Sequence, residues 1–136
     1  MRNIIKNLEL PVGGESQSFR LTKWDALSGV CLLRQVLSHL PKEQEIPLAE
    51  LPERIFLDLS DYELKPILVS ALNHAEMLLP AGYQPVMIGS DWGVPELEHD
   101  TAVCLKLALE SCVWTLRDFF TEGESTSPKK APDSSP

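Results

Sequence analysis

From Pro95 to Phe120 the chain carries a long, strongly apolar pattern at helical spacing, which stops at Thr121-Glu122-Gly123. Leu105, Leu109, Cys112, Leu116 and Phe119 form one row, and Val103, Leu107 and Trp114 extend it around the side. A helix this apolar is either central in a core or shared with another subunit. Beyond Phe120 no aromatic or large aliphatic residue occurs, so the Ser/Pro-rich tail cannot bury enough surface to offset the entropy of ordering itself. The sequence therefore predicts one helical domain over residues 1–120 and a flexible tail over 121–136.

Charge narrows the function classes. An excess of 20 acidic over 12 basic side chains gives a net charge of −8, which repels phosphate backbones and anionic membranes. No apolar run reaches the roughly 18 residues needed to span a bilayer, and Met1-Arg2-Asn3-Ile4-Ile5-Lys6-Asn7 turns polar too soon for a signal-peptide core. The expectation is a cytoplasmic protein without nucleic-acid or membrane partners. Cys31, Cys104 and Cys112 form no Cys-x-x-Cys pair, and each lies in an apolar helical stretch, where it reads as a small buried hydrophobe.

Along the chain, Leu8, Leu10 and Val12 alternate with polar residues or proline, and after Gly13-Gly14 a second alternation places Phe19 and Leu21 on one side. This pattern is a β-hairpin signature, and Pro11 belongs where its backbone faces away from a ladder. Thr22 caps a predicted helix over 23–39, whose apolar face is Leu27, Val30, Cys31, Leu33, Arg34 and Leu37; Gly29 is a local weakness or a close packing point. Residues 41–59 form a connector, with a short turn at 48–54 and Ile55-Phe56-Leu57 as a buried strand or a docking segment. Ser60 and Glu63 have capping-box spacing and open a helix predicted over 61–79, with Pro66 bending it or delaying its start. Residues 80–94 read as a loop with Tyr83, Met87, Ile88 and Trp92, either covering the core or contacting a partner. The predicted fold is mainly α: an N-terminal β-hairpin packed on a bundle of three main helices.

The residues supply no catalytic set. His99 with Asp100, Glu96 and Glu98 falls in the first turn of the predicted last helix, where acids are favoured by the dipole. His74 and Glu76 lack the spacing of a helical metal pair, and Ser28, Ser70 and Ser111 lack a glycine-flanked elbow. The expectation is no enzyme, no cofactor and no metal.

The segment Leu8-Glu9-Leu10-Pro11-Val12-Gly13-Gly14, followed by Phe19-Arg20-Leu21-Thr22-Lys23-Trp24-Asp25-Ala26-Leu27, helices and a Ser/Pro/Lys tail, resembles the tail assembly chaperones of long-tailed, lambda-like bacteriophages. The resemblance implies a helical, non-catalytic protein of the bacterial host cytoplasm that coats the tape measure protein and keeps it competent for tail tube assembly. It also implies a longer form, made by ribosomal frameshifting, whose extension recruits the major tail protein; Lys129-Lys130 is compatible with the slippery site. Homo-oligomers are expected, with Trp24, Trp92, Phe119 and Phe120 as candidate partner-binding aromatics. A non-catalytic adaptor or regulatory domain holding a peptide on the Gly82–Gly93 loop is the alternative.

Overall fold

Two glycines set the first element pair. In the computed structural model, which describes residues 3–39 and 51–126 (backbone alone for 51–52 and 118–126), β1 (Ile5–Val12) and β2 (Glu15–Thr22) pair antiparallel, with Val12 opposite Glu15. Gly13 and Gly14 take φ of +60° and +85°, the backbone that matches a two-residue turn to the twist of its strands. Pro11 sits on β1, at the sheet edge. Leu8 faces Phe19 across the ladder, and Phe19 and Leu21 are fully buried.

The hairpin is half of a four-stranded sheet, so the mainly α expectation is corrected to a mixed α/β fold. The antiparallel order is β1-β2-β3-β4, with β3 spanning Ala75–Leu79 and β4 Gly82–Pro85. β5 (Met87–Ile88) and β6 (Asp91–Trp92) form a separate small hairpin. Residues predicted as the end of one helix and a loop, 74–94, therefore hold four strands. The open edge of β2 is the reason: the Thr22 amide donates to the His74 carbonyl at 2.9 Å, and Phe19 and Leu21 pair with Met77 and Ala75. Arg20 locks the register, ion-paired with Glu76 at 2.7 Å and lying 4.0 Å over the Tyr83 ring. Strand pairing thus ends the helix early.

Helix α1 spans Ala26–Ser38, α2 Leu51–Asp58, α3 Asp61–Asn73 and α4 Thr101–Thr126. The N-cap of α1 is Asp25, whose carboxylate accepts the Ser28 amide at 3.1 Å, not Thr22, which is the last residue of β2. Those bonds hold the Asp25 carboxyl below its ordinary range. Ile55, Phe56 and Leu57 are helical. The capping box at α3 is complete: the Glu63 amide donates to Ser60 Oγ, and the Ser60 amide donates to Glu63 Oε1. Pro66 faces solvent and neither delays α3 nor moves its cap. A short 3-10 turn at Pro95–Leu97 precedes α4, which starts at Thr101 and not at Pro95, with Asp100 accepting the Val103 amide at 3.1 Å. Its backbone is helical through Thr126; residues 127–136 lie outside the described residues.

Helix α4 is central, which accounts for its broad apolar girth. Val103, Leu107 and Trp114 join Phe19, Leu21 and Met77 in a core against the sheet. Ala108, Cys112 and Leu116 join Trp24, Leu32, Val36, Ile55, Ile67 and Ala71 in a second core among the helices.

Candidate functional site

Helix α1 carries three exposed large aliphatic side chains. Successive residues turn by about 100° around a helix axis, so Leu32 and Val36, both buried, define one side. Leu27, Val30, Cys31, Arg34 and Leu37 fall on the opposite side, with Leu27 81%, Val30 61% and Leu37 48% exposed. The face that reads as core-seeking in the sequence is thus the one turned to solvent. Leu27 and Val30 adjoin one turn apart, and Leu37 follows beyond Arg34 on the same side, so the exposed aliphatic side chains share one stripe.

A groove runs beside this stripe. Helices α1 and α3 both pack on α4 and leave a cleft of about 480 Å³ between them, walled by Ser28, Cys31 and Gln35 on one side and by Tyr62, Pro66 and Ser70 on the other. Tyr62, 90% exposed, stands at the rim.

The groove floor is rigid. Trp24 is 7% exposed, its indole Nε1 donates to Ser111 Oγ at 2.9 Å, and its backbone amide donates to Thr115 Oγ1 at 3.2 Å. Its ring stacks on His74 with centroids 5.7 Å apart. His74 caps the end of α3, with Nδ1 2.7 Å from the Ser70 carbonyl oxygen. Ser111 is fully buried and Trp24 holds it from 87 residues away in sequence.

The four candidate aromatics are therefore not one surface. Trp24 is a core residue beneath the groove, while Trp92 is half-buried on β6, on another flank of α3. Phe119 and Phe120 lie on the helical backbone of α4, their side chains outside the described residues, as are Lys129 and Lys130. Spacing marks Leu27, Val30 and Leu37 as a core-facing stripe and leaves Tyr62 unmarked, whereas all four are exposed. The signal lay in α1 itself, which has apolar residues on two faces although only one can meet α4.

Other reactive side chains are dispersed. Cys31 is exposed, against its expected burial; Cys104 is half-buried and donates to the Leu97 carbonyl at 3.4 Å; Cys112 is buried, which pushes its thiol up to about 12. His99 is exposed, and it precedes α4 instead of lying in its first turn. Among the described residues no group of three or more His, Cys, Asp or Glu side chains is placed to hold a metal ion, and no helix is long and apolar enough to cross a membrane. In comparisons with known proteins, no family model, no curated protein and no solved structure matches the chain.

Proposed function

We propose that this protein is a non-catalytic tail assembly chaperone of a long-tailed bacteriophage, which holds apolar helical stretches of the tape measure protein in the host cytoplasm. The observation that carries the reading is the outward apolar stripe of α1 beside the α1/α3 groove. A helix laid along this stripe buries its own apolar face against Leu27, Val30 and Leu37, each side chain contributing up to about 2 kcal/mol. The net charge of −8 keeps the loaded complex soluble. Homo-oligomers would multiply the stripe along a long client, and a frameshifted longer form diverging near Lys129-Lys130 would recruit the major tail protein.

The test is co-expression with the tape measure protein of the same genome, comparing the native chain with a Leu27→Asp/Val30→Asp variant. Both positions are exposed, so the variant keeps the native thermal midpoint. The expected result is a soluble tape measure protein that co-purifies with the native chain and precipitates with the variant. Equal solubility with both refutes the stripe as the client-binding surface. Self-association of the chain with no tape measure binding favours the adaptor function.

A further inference from the structure

A second recess opens on the other flank of α3. Leu68 and Leu72 of α3, Met87 and Trp92 of the β5–β6 hairpin and Leu105 of α4 surround a slot of about 350 Å³. The slot is prebuilt. The Asn73 side chain clamps the hairpin turn to α3, accepting the Gly89 amide at 2.7 Å and donating to the Gly89 carbonyl at 3.0 Å and to the Val69 carbonyl at 2.7 Å. Gly93, next to Trp92, packs so tightly that an added Cβ would stand 2.1 Å from the Pro85 carbonyl oxygen. These contacts fix the hairpin wall against α3 and β4.

The polar features of the slot are one-sided. Trp24 and Trp114 spend their indole N–H groups on Ser111 and on the Ile4 carbonyl, whereas the Trp92 indole has no hydrogen-bond acceptor among the described residues. Glu98 and Asp100 stand at the mouth, with Lys65 on the opposite wall. Asp91 and Glu96 lie beside them in the same ten-residue stretch, and no lysine or arginine occurs between Lys65 and Lys106. Among the described residues the ion pairs are Lys6 with Glu110 and Arg20 with Glu76, so none of these four carboxylates is paired there. An apolar recess of this size takes one large side chain, and the excess of carboxylates over the single Lys65 around it selects the charge of what flanks that side chain.

We propose that this slot binds a segment of a protein partner that presents one large apolar side chain between lysines or arginines. The apolar side chain fills the recess against Leu68, Leu72 and Met87, with Trp92 as the aromatic wall. The flanking cations face Glu98 and Asp100, with Asp91 and Glu96 adding negative charge from the same stretch of chain. The site is independent of the chaperone reading, because it lies away from the α1/α3 groove and needs no tape measure protein.

The test uses the full ¹⁵N-labelled chain at low salt and the probe acetyl-Lys-Lys-Phe-Lys-Lys-amide. The three indole N–H signals are resolved by NMR, and the Trp92 signal is assigned by its loss in Trp92→Phe. The expected result is a saturable shift of the Trp92 signal while those of Trp24 and Trp114 stay in place. A Glu98→Gln/Asp100→Asn variant, whose asparagine preserves the cap of α4, binds the probe about fivefold more weakly. The proposal is overturned if the Trp92 signal is unmoved at millimolar probe. Equal binding of the peptide with glutamates for its lysines, or of the peptide with serine for its phenylalanine, overturns it as well. A Trp92 signal that moves when residues 127–136 are deleted, without any probe, assigns the slot to the chain's own tail and overturns the partner.

Discussion

Replacing Ser111 with alanine removes one oxygen from the interior and tests what holds the end of β2 to the last helix. Ser111 is fully buried, Trp24 is 7% exposed, and the bond between them is 2.9 Å long. Without the hydroxyl, the indole N–H stays buried with no acceptor, which costs about 1–3 kcal/mol. Alanine returns up to about 0.5 kcal/mol through its better helix propensity. The net expectation is a loss of about 2 kcal/mol, or about 8 °C in thermal midpoint for a domain of this size. Urea unfolding at constant m-value measures it. Trp24→Phe removes the donor too, so the cycle of Ser111→Ala, Trp24→Phe and the double variant should yield a coupling energy of at least about 1 kcal/mol. A single Ser111→Ala variant within about 0.3 kcal/mol of the native chain would refute the reasoning, because the indole N–H would then have found another partner.

Gly93→Ala should destabilise the fold by about 3 kcal/mol in the same assay, since its Cβ would meet the Pro85 carbonyl oxygen and the backbone must shift. Gly29→Ala should do the opposite and stabilise by about 0.5–1 kcal/mol, because its Cβ meets Thr115 Cγ2 at an ordinary 3.6 Å and the helix gains propensity. With a thiol reagent at mildly alkaline pH, Cys31 should react at once, Cys104 slowly, since burial and the nearby Asp100 raise its thiol, and Cys112 only after unfolding. The raised Cys112 thiol keeps its proton in the folded chain when the unfolded chain has lost it. Its contribution is therefore complete below about 9 and declines as pH rises towards about 12. Cys112→Ala should show a shallower alkaline loss of stability than the native chain.

Local chemistry was legible wherever a few adjacent residues decide the outcome. The paired glycines at 13–14 and the Ser60/Glu63 box each leave one low-cost backbone solution, and both occur as their spacing implies. Residues 75–79 were ambiguous for a physical reason. Ala75 and Leu78 continue the three-and-four spacing of α3, while Ala75, Met77 and Leu79 alternate as a strand, and five residues cannot separate the two periods. The decision came from β2, more than 50 residues earlier in the chain, whose free edge hydrogen bonds outweighed continuation of a helix. The candidate surface was hidden in the same way. Nothing within α1 states which of its two apolar faces meets α4, and Trp24 looked like an anchor for a partner because its buried acceptor, Ser111, is remote in sequence.

The position of α4 between the two cores bears on how the molecule assembles in time. The sheet core and the helical core both take side chains from residues 103–116, so neither can close until α4 has been synthesised. The β1–β2 hairpin can form early, but a two-stranded ribbon is marginal alone, and α1 and α3 have no common wall without α4. The nascent chain therefore carries its apolar surfaces open until residues 103–116 are available, and the two cores then form as one cooperative unit. Amide exchange along 103–116 should consequently proceed only through global unfolding, at the same free energy on both faces of the helix.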